Sequence, residues 1–416
     1  MPPGHSYTGT VDLLRLTKSC IGATARFAID TWSILTVRSE YRGGPERVMV
    51  VRPDSLGDFV LWLTAAEAIV RLYRSQNRRV TLLANSAWAG WARELNMFDD
   101  VLALDRRQYA KNPRYRHRMN GEVRRRGFSV AVQPNYSREY TFGDPLIRVS
   151  GAEERIGSVA DPLHENKWQR RIADRWYTRL LPAPDVPMME LIRNAEFVRH
   201  LGDKTFRAKV TEGRLMGEFR RPEIFDQLDG QPYFVLFPGA SLAIKRWPAS
   251  NFAAIAKRLF LRTGWTGVIC GGVGEEALGE EIERDGPPLH NAIGQSLSEL
   301  VATLSKASFV LTNDTSALHI AACFGRPTVA ILSGGYLYRY LPYQVELEDE
   351  RLLPRMVVSP MPCFGCRMQC DLPKDRSGAA PCIYEIGIEQ VWEEVERLLF
   401  AEQGLEVQPA VLGSSL

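Results

Sequence analysis

The chain has 416 residues, a formal net charge of +3, 45% hydrophobic residues and 24% charged residues. This composition is typical of a globular protein, and the length predicts two domains rather than one core. A charge this small gives no indication of nucleic-acid binding, and no run approaches the roughly 20 apolar residues that span a bilayer. The N-terminal residues lack the pattern of a signal peptide, so we expect a cytoplasmic protein.

An N-terminal helical extension, residues 1–45, precedes an alternation of strands and helices. Apolar spacing predicts a helix over 11–37, which we expect to pack against the body or a sister subunit rather than on a membrane surface. Helices are also predicted over 59–74 and 87–98. The predicted buried strands of this half cover 47–52, 80–84, 101–104, 129–133 and 155–159.

The alternation restarts after a helix over 188–201 and a charged bridge to about residue 230. Strands are predicted over 233–237, 267–270, 309–312 and 328–332, and helices over 249–262, 275–284, 297–306, 317–324 and 388–400. This order predicts α/β domains with mostly parallel sheets covered on both faces. Two doubly wound, Rossmann-like domains place a ligand cleft between them, at the carboxyl ends of the strands.

The stretch RPDSLGD, residues 52–58, follows the first predicted strand and opens a helix. Gly57 permits close backbone approach, and Asp58 lies where the helix dipole stabilises a carboxylate. Asp58 is therefore either a helix cap or a general base directed into the cleft, and the pattern alone leaves both roles open.

Two further turns contain groups that suit a diphosphate. The stretch FPGASLAIKRWP places Lys245 and Arg246 in a glycine-containing loop before a helix. The stretch NDTS, residues 313–316, precedes another helix, and His319 lies one turn farther along the same face. The alternative for the first turn is a solvated basic loop. The alternative for the second turn is an aspartate that caps the helix, followed by a histidine in the core.

Two other features indicate binding less specifically. The stretch CGGVGEE, residues 270–276, has the G-x-G spacing of a dinucleotide site, but it lies deep in the second half. Glu275 or Glu276 could instead reach a ribose hydroxyl. Residues 106–127 contain nine lysines or arginines and one acid, which indicates a solvated face or a site for an anionic acceptor.

Four of the seven cysteines lie close together near the C-terminus, and they are Cys363, Cys366, Cys370 and Cys382. Four thiolates at these spacings can enclose one tetrahedral ion, either zinc or iron. Four sulfur ligands leave no open position for substrate, so this metal would stabilise a long loop rather than catalyse. Two disulfides are the alternative.

Taken together, these stretches resemble family 9 glycosyltransferases, the heptosyltransferase family with the GT-B fold. The matching pieces are VVRPDSLGDFVLW, FPGASLAIKRWPASNFAAIA, IGQSLSELVATLSKASFVLTNDTSALHIAACFGRPTVAIL and the closing helix, in the family's order. The resemblance implies two Rossmann-like domains that face each other across a cleft. The expected divisions are an acceptor-side domain over 46–228, a nucleotide-sugar domain over 229–402 with a metal loop at 360–385, and a tail over 403–416.

The resemblance also implies an inverting transfer of a sugar without a catalytic metal. The family's donor is commonly ADP-heptose, and the expected acceptor is a hydroxyl of lipopolysaccharide or another surface glycan. By this analogy Asp58 deprotonates the acceptor and Lys245 neutralises the leaving diphosphate. The other expected donor-binding residues are Arg246, Glu276, Asp314, Thr315, Ser316 and His319.

The sequence departs from the family in two places. Ser316 and Ala317 replace the Gly-Pro that usually follows Asp-Thr in this turn. The cysteine spacing is similar to that of the autotransporter heptosyltransferase branch, whose four cysteines hold iron. That branch has a further N-terminal domain, which residues 1–45 are too short to form.

Expected partners are a nucleotide-sugar donor and a glycan, glycolipid or protein acceptor, and not nucleic acid. Peripheral contact with the inner membrane and a homo-oligomer are compatible with this assignment. The alternative functions are protein O-heptosyl transfer, an NAD-linked oxidoreductase built on the turn at residues 270–276, and a noncatalytic binding protein.

Overall fold

A computed structural model describes residues 13–40, 43, 46–159, 166–346 and 353–400 of the chain. The predicted tail and the first two residues of the predicted N-terminal helix lie outside the described residues. In the part of the chain that is described, no helix is long and apolar enough to cross a membrane.

The first half is built on a parallel sheet with the strand order β3-β2-β1-β4-β5-β6. Its strands are β1 (Arg47–Arg52), β2 (Arg79–Asn85), β3 (Asp100–Leu104), β4 (Val130–Gln133), β5 (Glu154–Ser158) and β6 (Arg179–Leu181). The five predicted strands are confirmed. The sixth was not predicted, because three residues are too few to show a periodicity.

Helices cover both faces of this sheet, and five of them differ from the prediction, because one is shorter and four were not predicted. They are α1 (Leu13–Thr36), α2 (Leu56–Arg74), α3 (Ala89–Glu94), α4 (Arg106–Lys111), α5 (Pro113–Arg126), α6 (Gly143–Ser150), α7 (Lys167–Asp174) and α8 (Glu190–Leu201). The helix predicted over 87–98 is only six residues long, because Asn96 adopts a left-handed conformation just beyond it. The basic run at 106–127 forms α4 and α5, which are capped by Asp105 and Asn112.

The second half repeats this architecture with the strand order β12-β11-β10-β7-β8-β9. The strands are β7 (Tyr233–Phe237), β8 (Thr266–Gly271), β9 (Leu289–Ile293), β10 (Phe309–Asn313), β11 (Thr328–Ile331) and β12 (Arg355–Val357). The helices are α9 (Ile224–Leu228), α10 (Ala249–Thr263), α11 (Glu276–Asp285), α12 (Leu297–Lys306), α13 (Ser316–Cys323), α14 (Pro381–Tyr384) and α15 (Ile388–Phe400). The bridge predicted as irregular therefore includes the short helix α9.

One apolar core runs through both halves of the molecule. It joins α2, represented by Phe59 and Leu63, to α13, represented by Ala317 and Ile320, and all four side chains are buried. The strands β1, β7 and β10 read as continuous apolar runs because both faces of each sheet are covered. This shared core fixes the carboxyl ends of β1 and β10 near one another.

The N-terminal helix α1 packs against the body, as expected from its sequence. Asp30 is buried and forms a two-pronged ion pair with Arg116 of α5, with both N–O distances at 2.6 Å. Asn120 donates a further hydrogen bond to Asp30, at 2.7 Å, and Ser33 contacts His117 at 2.9 Å. A polar network of this kind specifies one docked position for the helix.

We expect Asp30→Asn to lower the free energy of unfolding by about 3–5 kcal/mol, because it leaves the guanidinium of Arg116 buried without its counter-charge. Asp226→Asn, which removes an exposed ion pair with Arg221, is the matched control and should cost no more than about 1 kcal/mol. Urea unfolding of the three proteins measures the difference. Equal losses for both variants would contradict the assigned role of the buried pair.

Candidate functional site

A cavity of about 410 Å³ lies between the two halves, at the carboxyl ends of their strands. It is lined by six residues that the sequence indicated, namely Asp58, Lys245, Asp314, Thr315, Ser316 and His319. The structure thus brings together groups that are more than 250 positions apart in the chain. The cavity is the site that the sequence predicted at the cleft.

Asp58 reaches the cavity from the first turn of α2, which follows β1 after a three-residue loop. Gly57 lies against His319 of the other half, because a Cβ atom at Gly57 would be 3.1 Å from the imidazole Cδ2. A side chain at this position would force the His319 ring or α2 to shift by a few tenths of an ångström. The glycine therefore brings the first turn of α2 close to the second half.

The carboxylate of Asp58 is held by two residues from a loop after β11. Tyr340 donates a hydrogen bond to Asp58 Oδ1 at 3.0 Å, and a guanidinium nitrogen of Arg339 lies 3.7 Å from the same oxygen. Arg339 also pairs with Glu190 of α8 at 3.3 Å. Burial raises the pKa of Tyr340 well above its usual value, so its hydroxyl remains a donor at neutral pH.

A second carboxylate, Asp54, lies behind Asp58 on the first half. Arg52 contacts Asp54 at 2.9 Å and Glu190 at 3.2 Å, and the amide nitrogen of Asn135 donates to Asp54. Burial, opposed by Arg52 and reinforced by the charge of Asp58, raises the pKa of Asp54 to about 6. Charges of both signs therefore alternate along one connected network at this side of the site.

The second half contributes an ion pair between Lys245 and Asp314, whose Nζ and Oδ2 atoms are 2.8 Å apart. The two residues come from different loops, and Asn313 at the end of β10 connects those loops. Its side chain donates to the carbonyl of Pro238 at 2.6 Å and accepts from the amide of Trp247 at 3.1 Å. Because Asn313 is fully buried, these bonds fix the loop that carries Lys245.

The N-terminus of α13 faces the same cavity. The Thr315 hydroxyl caps this helix by accepting from the Ala317 amide at 3.3 Å, and it contacts the Thr312 hydroxyl at 3.1 Å. The first N–H groups of a helix have no partner inside it, so this end can bind an anion. Ser316, at the first helical position, adds a hydroxyl-bearing side chain to the cavity wall.

His319 lies one turn into α13 and is buried. Its Nδ1 is 2.7 Å from the Tyr343 hydroxyl, and the two rings are stacked. Burial lowers the pKa of His319 to about 4, although the carboxylate of Asp314 opposes the shift. The imidazole is therefore neutral at physiological pH and can position a ligand without adding charge.

Two predicted donor-binding residues lie outside the cavity wall. The Arg246 guanidinium donates two hydrogen bonds to the Ala240 carbonyl and approaches Glu275 at 3.8 Å. Glu276 is on the surface, where it accepts from the Gly274 amide. Its neighbour Glu275 lines the cavity instead and accepts from the Gly272 amide at 2.8 Å.

The four clustered cysteines line a second cavity of about 20 Å³ next to the first. Cys382 is buried, Cys366 and Cys370 are half-buried, and Cys363 is exposed. Burial raises the pKa of Cys382, and proximity to the charges of the other three thiols adds to the rise. No disulfide joins these cysteines. Within the described ranges, however, no group of three or more cysteine, histidine or acidic side chains is arranged to hold a metal ion.

Met368 connects the cysteine cavity to the larger one, because it lines both. It adopts a left-handed backbone conformation with φ at 65°, and the Ser333 hydroxyl contacts its sulfur at 3.6 Å. The amide of the preceding residue, Arg367, donates to the Gly335 carbonyl at 3.1 Å. The cysteine loop is thus part of the wall of the larger cavity.

Sequence reasoning missed several residues of this site, chiefly Asp54, Glu190, Asn313, Arg339 and Tyr340. Asp54 lies in the same loop-and-helix stretch as Asp58, just after β1, and Asn313 ends β10 directly before Asp314. These positions near strand ends could have indicated both residues. Arg339 and Tyr340 lie in a loop without a recognisable pattern, and Glu190 lies in the first turn of a remote helix. Only the folded chain brings these three to Asp58.

The comparisons with known proteins agree with this arrangement. Residues 168–346 match the model of glycosyltransferase family 9 (heptosyltransferase), a segment that includes every predicted donor-binding residue. The resemblance of this chain to family 9 is confirmed. Asp58 and the four clustered cysteines lie outside the matched segment, so their roles rest on the geometry of this chain.

A curated relative is the lipooligosaccharide heptosyltransferase 2 of Haemophilus influenzae. It is 27% identical over 197 residues, which make up 45% of this chain and 51% of the relative. The chain therefore matches about half the length of this relative.

Two solved structures show the same fold. A family 9 glycosyltransferase from Veillonella parvula has a TM-score of 0.63 at 17% identity, covering 87% of this chain and all of the other. The dodecameric, iron-containing heptosyltransferase TibC of Escherichia coli, in complex with ADP-D-β-D-heptose, has a TM-score of 0.50 at 13% identity. That match covers 89% of this chain and 80% of TibC. The predicted GT-B fold, two parallel α/β units facing across a cleft, is confirmed.

We expect His319 to make the stability of the protein depend on pH. Because its pKa falls from 6.5 in the unfolded chain to about 4 in the folded protein, only the unfolded chain gains a proton between these values. Its contribution to stability is therefore complete above pH 6.5 and is lost as the pH falls towards 4. Between about pH 7 and about pH 5 the loss should approach about 2 kcal/mol.

Urea unfolding of the wild type and His319→Gln at both pH values tests this expectation. The wild type should lose about 2 kcal/mol relative to the variant on acidification. Asp54 titrates with the opposite sign and is present in both proteins, so its contribution cancels. His200→Gln, which removes an exposed histidine, is the matched control and should behave as the wild type does. A constant difference between wild type and His319→Gln would exclude the assigned protonation state.

Proposed function

We propose that the chain is an inverting glycosyltransferase that moves heptose from ADP-heptose to a hydroxyl acceptor on a lipopolysaccharide-type glycan. The observation that carries this proposal is the single cavity shared by Asp58 of the first half and the polar groups of Lys245, Asp314 and α13 in the second. Family membership supports the same reaction class. TibC, a protein of the same fold, binds ADP-D-β-D-heptose.

The second half has the groups that a nucleotide diphosphate requires. Lys245 can neutralise the charge that develops as the diphosphate leaves, and the α13 N-terminus and the Thr315 and Ser316 hydroxyls can bind its oxygens. Glu275, which lines the cavity, would accept a hydrogen bond from a ribose hydroxyl in place of Glu276, which lies outside the cavity wall. His319, being neutral, would hydrogen-bond the donor without competing with Lys245 for charge.

The first half has the group that activates the acceptor. Asp58 would take the proton of the acceptor hydroxyl while its oxygen attacks the anomeric carbon of the donor. The bond from that carbon to the diphosphate then breaks, and ADP leaves from the opposite face, which inverts the configuration. Tyr340 and Arg339 hold the Asp58 carboxylate in one orientation.

The contacts favour this reaction over an NAD-linked oxidoreductase. The carboxylate of Glu275 accepts a hydrogen bond from the Gly272 amide. In a dinucleotide-binding site, the glycine-rich turn at residues 270–276 would bind the pyrophosphate, and here an anionic side chain occupies that position. A Cβ atom at Gly239 would lie 2.0 Å from the same carboxylate, which shows how closely Glu275 fills this space. Protein O-heptosyl transfer uses the same donor site, and it remains the second candidate for the acceptor.

Calorimetric titration with ADP, UDP, GDP and NAD tests the choice of donor. Selective binding of ADP supports an ADP-sugar donor and justifies a screen of acceptors. A preference for UDP or GDP would retain the transferase and exclude ADP-heptose. Binding of NAD alone would overturn the proposed function.

We expect Asp58→Asn to lower the turnover number at least about 100-fold, because the amide cannot accept the proton of the acceptor. ADP affinity, measured by calorimetry, should stay unchanged, since the donor groups belong to the other half. Glu276→Gln removes a carboxylate outside the cavity and is the matched control for activity. Wild-type turnover in Asp58→Asn would show that the general base is a different group.

We also propose a structural metal, iron or zinc, at Cys363, Cys366, Cys370 and Cys382. The four thiols line one small cavity, and thiolates are the ligands that both metals accept in closed structural sites. Free thiols fit the reducing cytoplasm in which we place the reaction. The metal would bind these four side chains and hold the loop, with no part in the transfer itself.

Metal analysis of the purified protein tests this site. Cys366→Ser should release the ion and lower the melting temperature, while ADP affinity falls less. Cys323→Ser, which removes a buried thiol in α13 far along the chain from the cluster, is the control for metal content. Equal metal content and an unchanged melting temperature in Cys366→Ser would exclude the site.

A further inference from the structure

Glu190 lies behind Asp58, outside the wall of the larger cavity. It is the first residue of α8, where the helix dipole favours a carboxylate, and it is 4% exposed. A carboxylate this deeply buried requires cations beside it, because burial of a charge without a partner is strongly unfavourable. The proposed transfer leaves this buried charge without a role.

The Glu190 carboxylate bridges two guanidinium groups from different halves of the molecule. Its Oε1 accepts from Arg52, at the end of β1, at 3.2 Å, and its Oε2 accepts from Arg339, in the loop after β11, at 3.3 Å. The main-chain N–H of Glu190 also donates to the Arg339 carbonyl at 2.9 Å. Glu190 therefore fixes Arg339 through both its main chain and its side chain.

Both guanidinium groups also contact Asp58. Arg52 donates to the main-chain carbonyl of Asp58 at 3.4 Å, and a nitrogen of Arg339 lies 3.7 Å from Asp58 Oδ1. Tyr340, which follows Arg339, donates to the same carboxylate oxygen at 3.0 Å. The two cations thus connect Glu190 to the main chain and to the carboxylate of Asp58.

Glu190 and Asp58 compete for the guanidinium of Arg339. This group is closer to Glu190, at 3.3 Å, than to Asp58, at 3.7 Å. A cation in full contact with a carboxylate stabilises its ionised form and makes it a weaker base. By holding Arg339 closer, Glu190 reduces this effect on Asp58, and its own negative charge acts in the same direction.

The other polar groups around Asp58 have different partners or carry no charge. Asp54 pairs with Arg52 at 2.9 Å. Tyr340 acts as a hydrogen-bond donor, and His319 of α13 is neutral because it is buried. Glu190 is therefore the carboxylate that shares Arg339 with Asp58.

We propose that Glu190 is a positioning residue for Asp58, which holds the Arg339 guanidinium away from the Asp58 carboxylate and so preserves the basicity that acceptor activation needs. In the reaction the acceptor proton moves to Asp58, and Glu190 neither gains nor loses a proton. This inference rests on the proposed function, because that function assigns the acceptor proton to Asp58.

Glu190→Gln tests the proposal, since it keeps the size of the side chain and removes its charge. The turnover number should fall about tenfold, because Arg339 then pairs fully with Asp58, while ADP affinity stays unchanged. The acidic limb of the pH profile of turnover should move to lower pH. Arg339→Gln, which removes the cation, should move that limb to higher pH. Glu196→Gln on the same helix is the matched control and should behave as the wild type does.

Double variants separate a role through Asp58 from a merely structural one. In the Asp58→Asn background, Glu190→Gln should cause no further loss of turnover, because the group through which it acts is absent. A further tenfold loss there would overturn the proposal. In the Asp54→Asn background, Glu190→Gln should still move the acidic limb to lower pH. An unmoved limb would assign the titration to Asp54 and would also overturn the proposal.

A titration followed by ¹³C NMR separates this inference from the proposed function. In protein labelled at the aspartate carboxyl carbons, the Asp58 signal is assigned by its absence in Asp58→Asn. It should titrate about one pH unit lower in Glu190→Gln than in the wild type. A displaced titration without transfer from any ADP-sugar would overturn the proposed function alone. Sugar transfer with an unchanged titration would overturn the role of Glu190 alone.

Circular dichroism and the ADP titration show whether each variant is folded. If Glu190→Gln does not fold, Arg339→Gln decides, because the Asp58 signal should then titrate at higher pH than in the wild type. An unchanged titration in that variant would show that Arg339 does not act on Asp58, and the proposal would be wrong.

Discussion

The close contact between α2 and α13 is the constraint on which the site depends. Both helices begin at the carboxyl end of a parallel strand, and each has its first turn at the same cavity. Their apolar faces share one core, and Gly57 allows the backbone of α2 to approach the ring of His319. Asp58 and the polar groups of Lys245, Asp314 and His319 are thereby held in register by packing. Two facing sheets form a cleft, and the contact between α2 and α13 sets the distance between the two halves at this cavity.

Charge is distributed unevenly around that contact. Next to Asp58, Arg52 and Glu190 of the first half and Arg339 of the second alternate in sign and end at the Asp58 carboxylate. On the second half, Lys245 is paired with Asp314, and His319 is kept neutral by burial. The acidic and basic side chains described here at the cavity therefore each have a defined partner, such as Tyr340 for Asp58 and Asp314 for Lys245. A charged substrate would have to exchange these partners for its own contacts, which makes binding selective for geometry as well as for charge.

The sequence predicts the fold and the polar turn after β10, for physical reasons. Strands buried on both faces appear as apolar runs, and the polar turn after β10 interrupts such a run, so both features are visible locally. The partners of Asp58 are not visible in this way, because Arg339 and Tyr340 lie in an irregular loop. Glu275 and Glu276 are adjacent, and only the backbone direction at the start of α11 decides which carboxylate lines the cavity.

Met368 belongs at once to the cysteine cavity and to the larger one, and its side chain is part of the wall of each. The two cavities therefore cannot be altered independently. A rearrangement of the thiols, such as oxidation, would therefore shift the Met368 side chain in the wall of the larger cavity while both sheets stay in place.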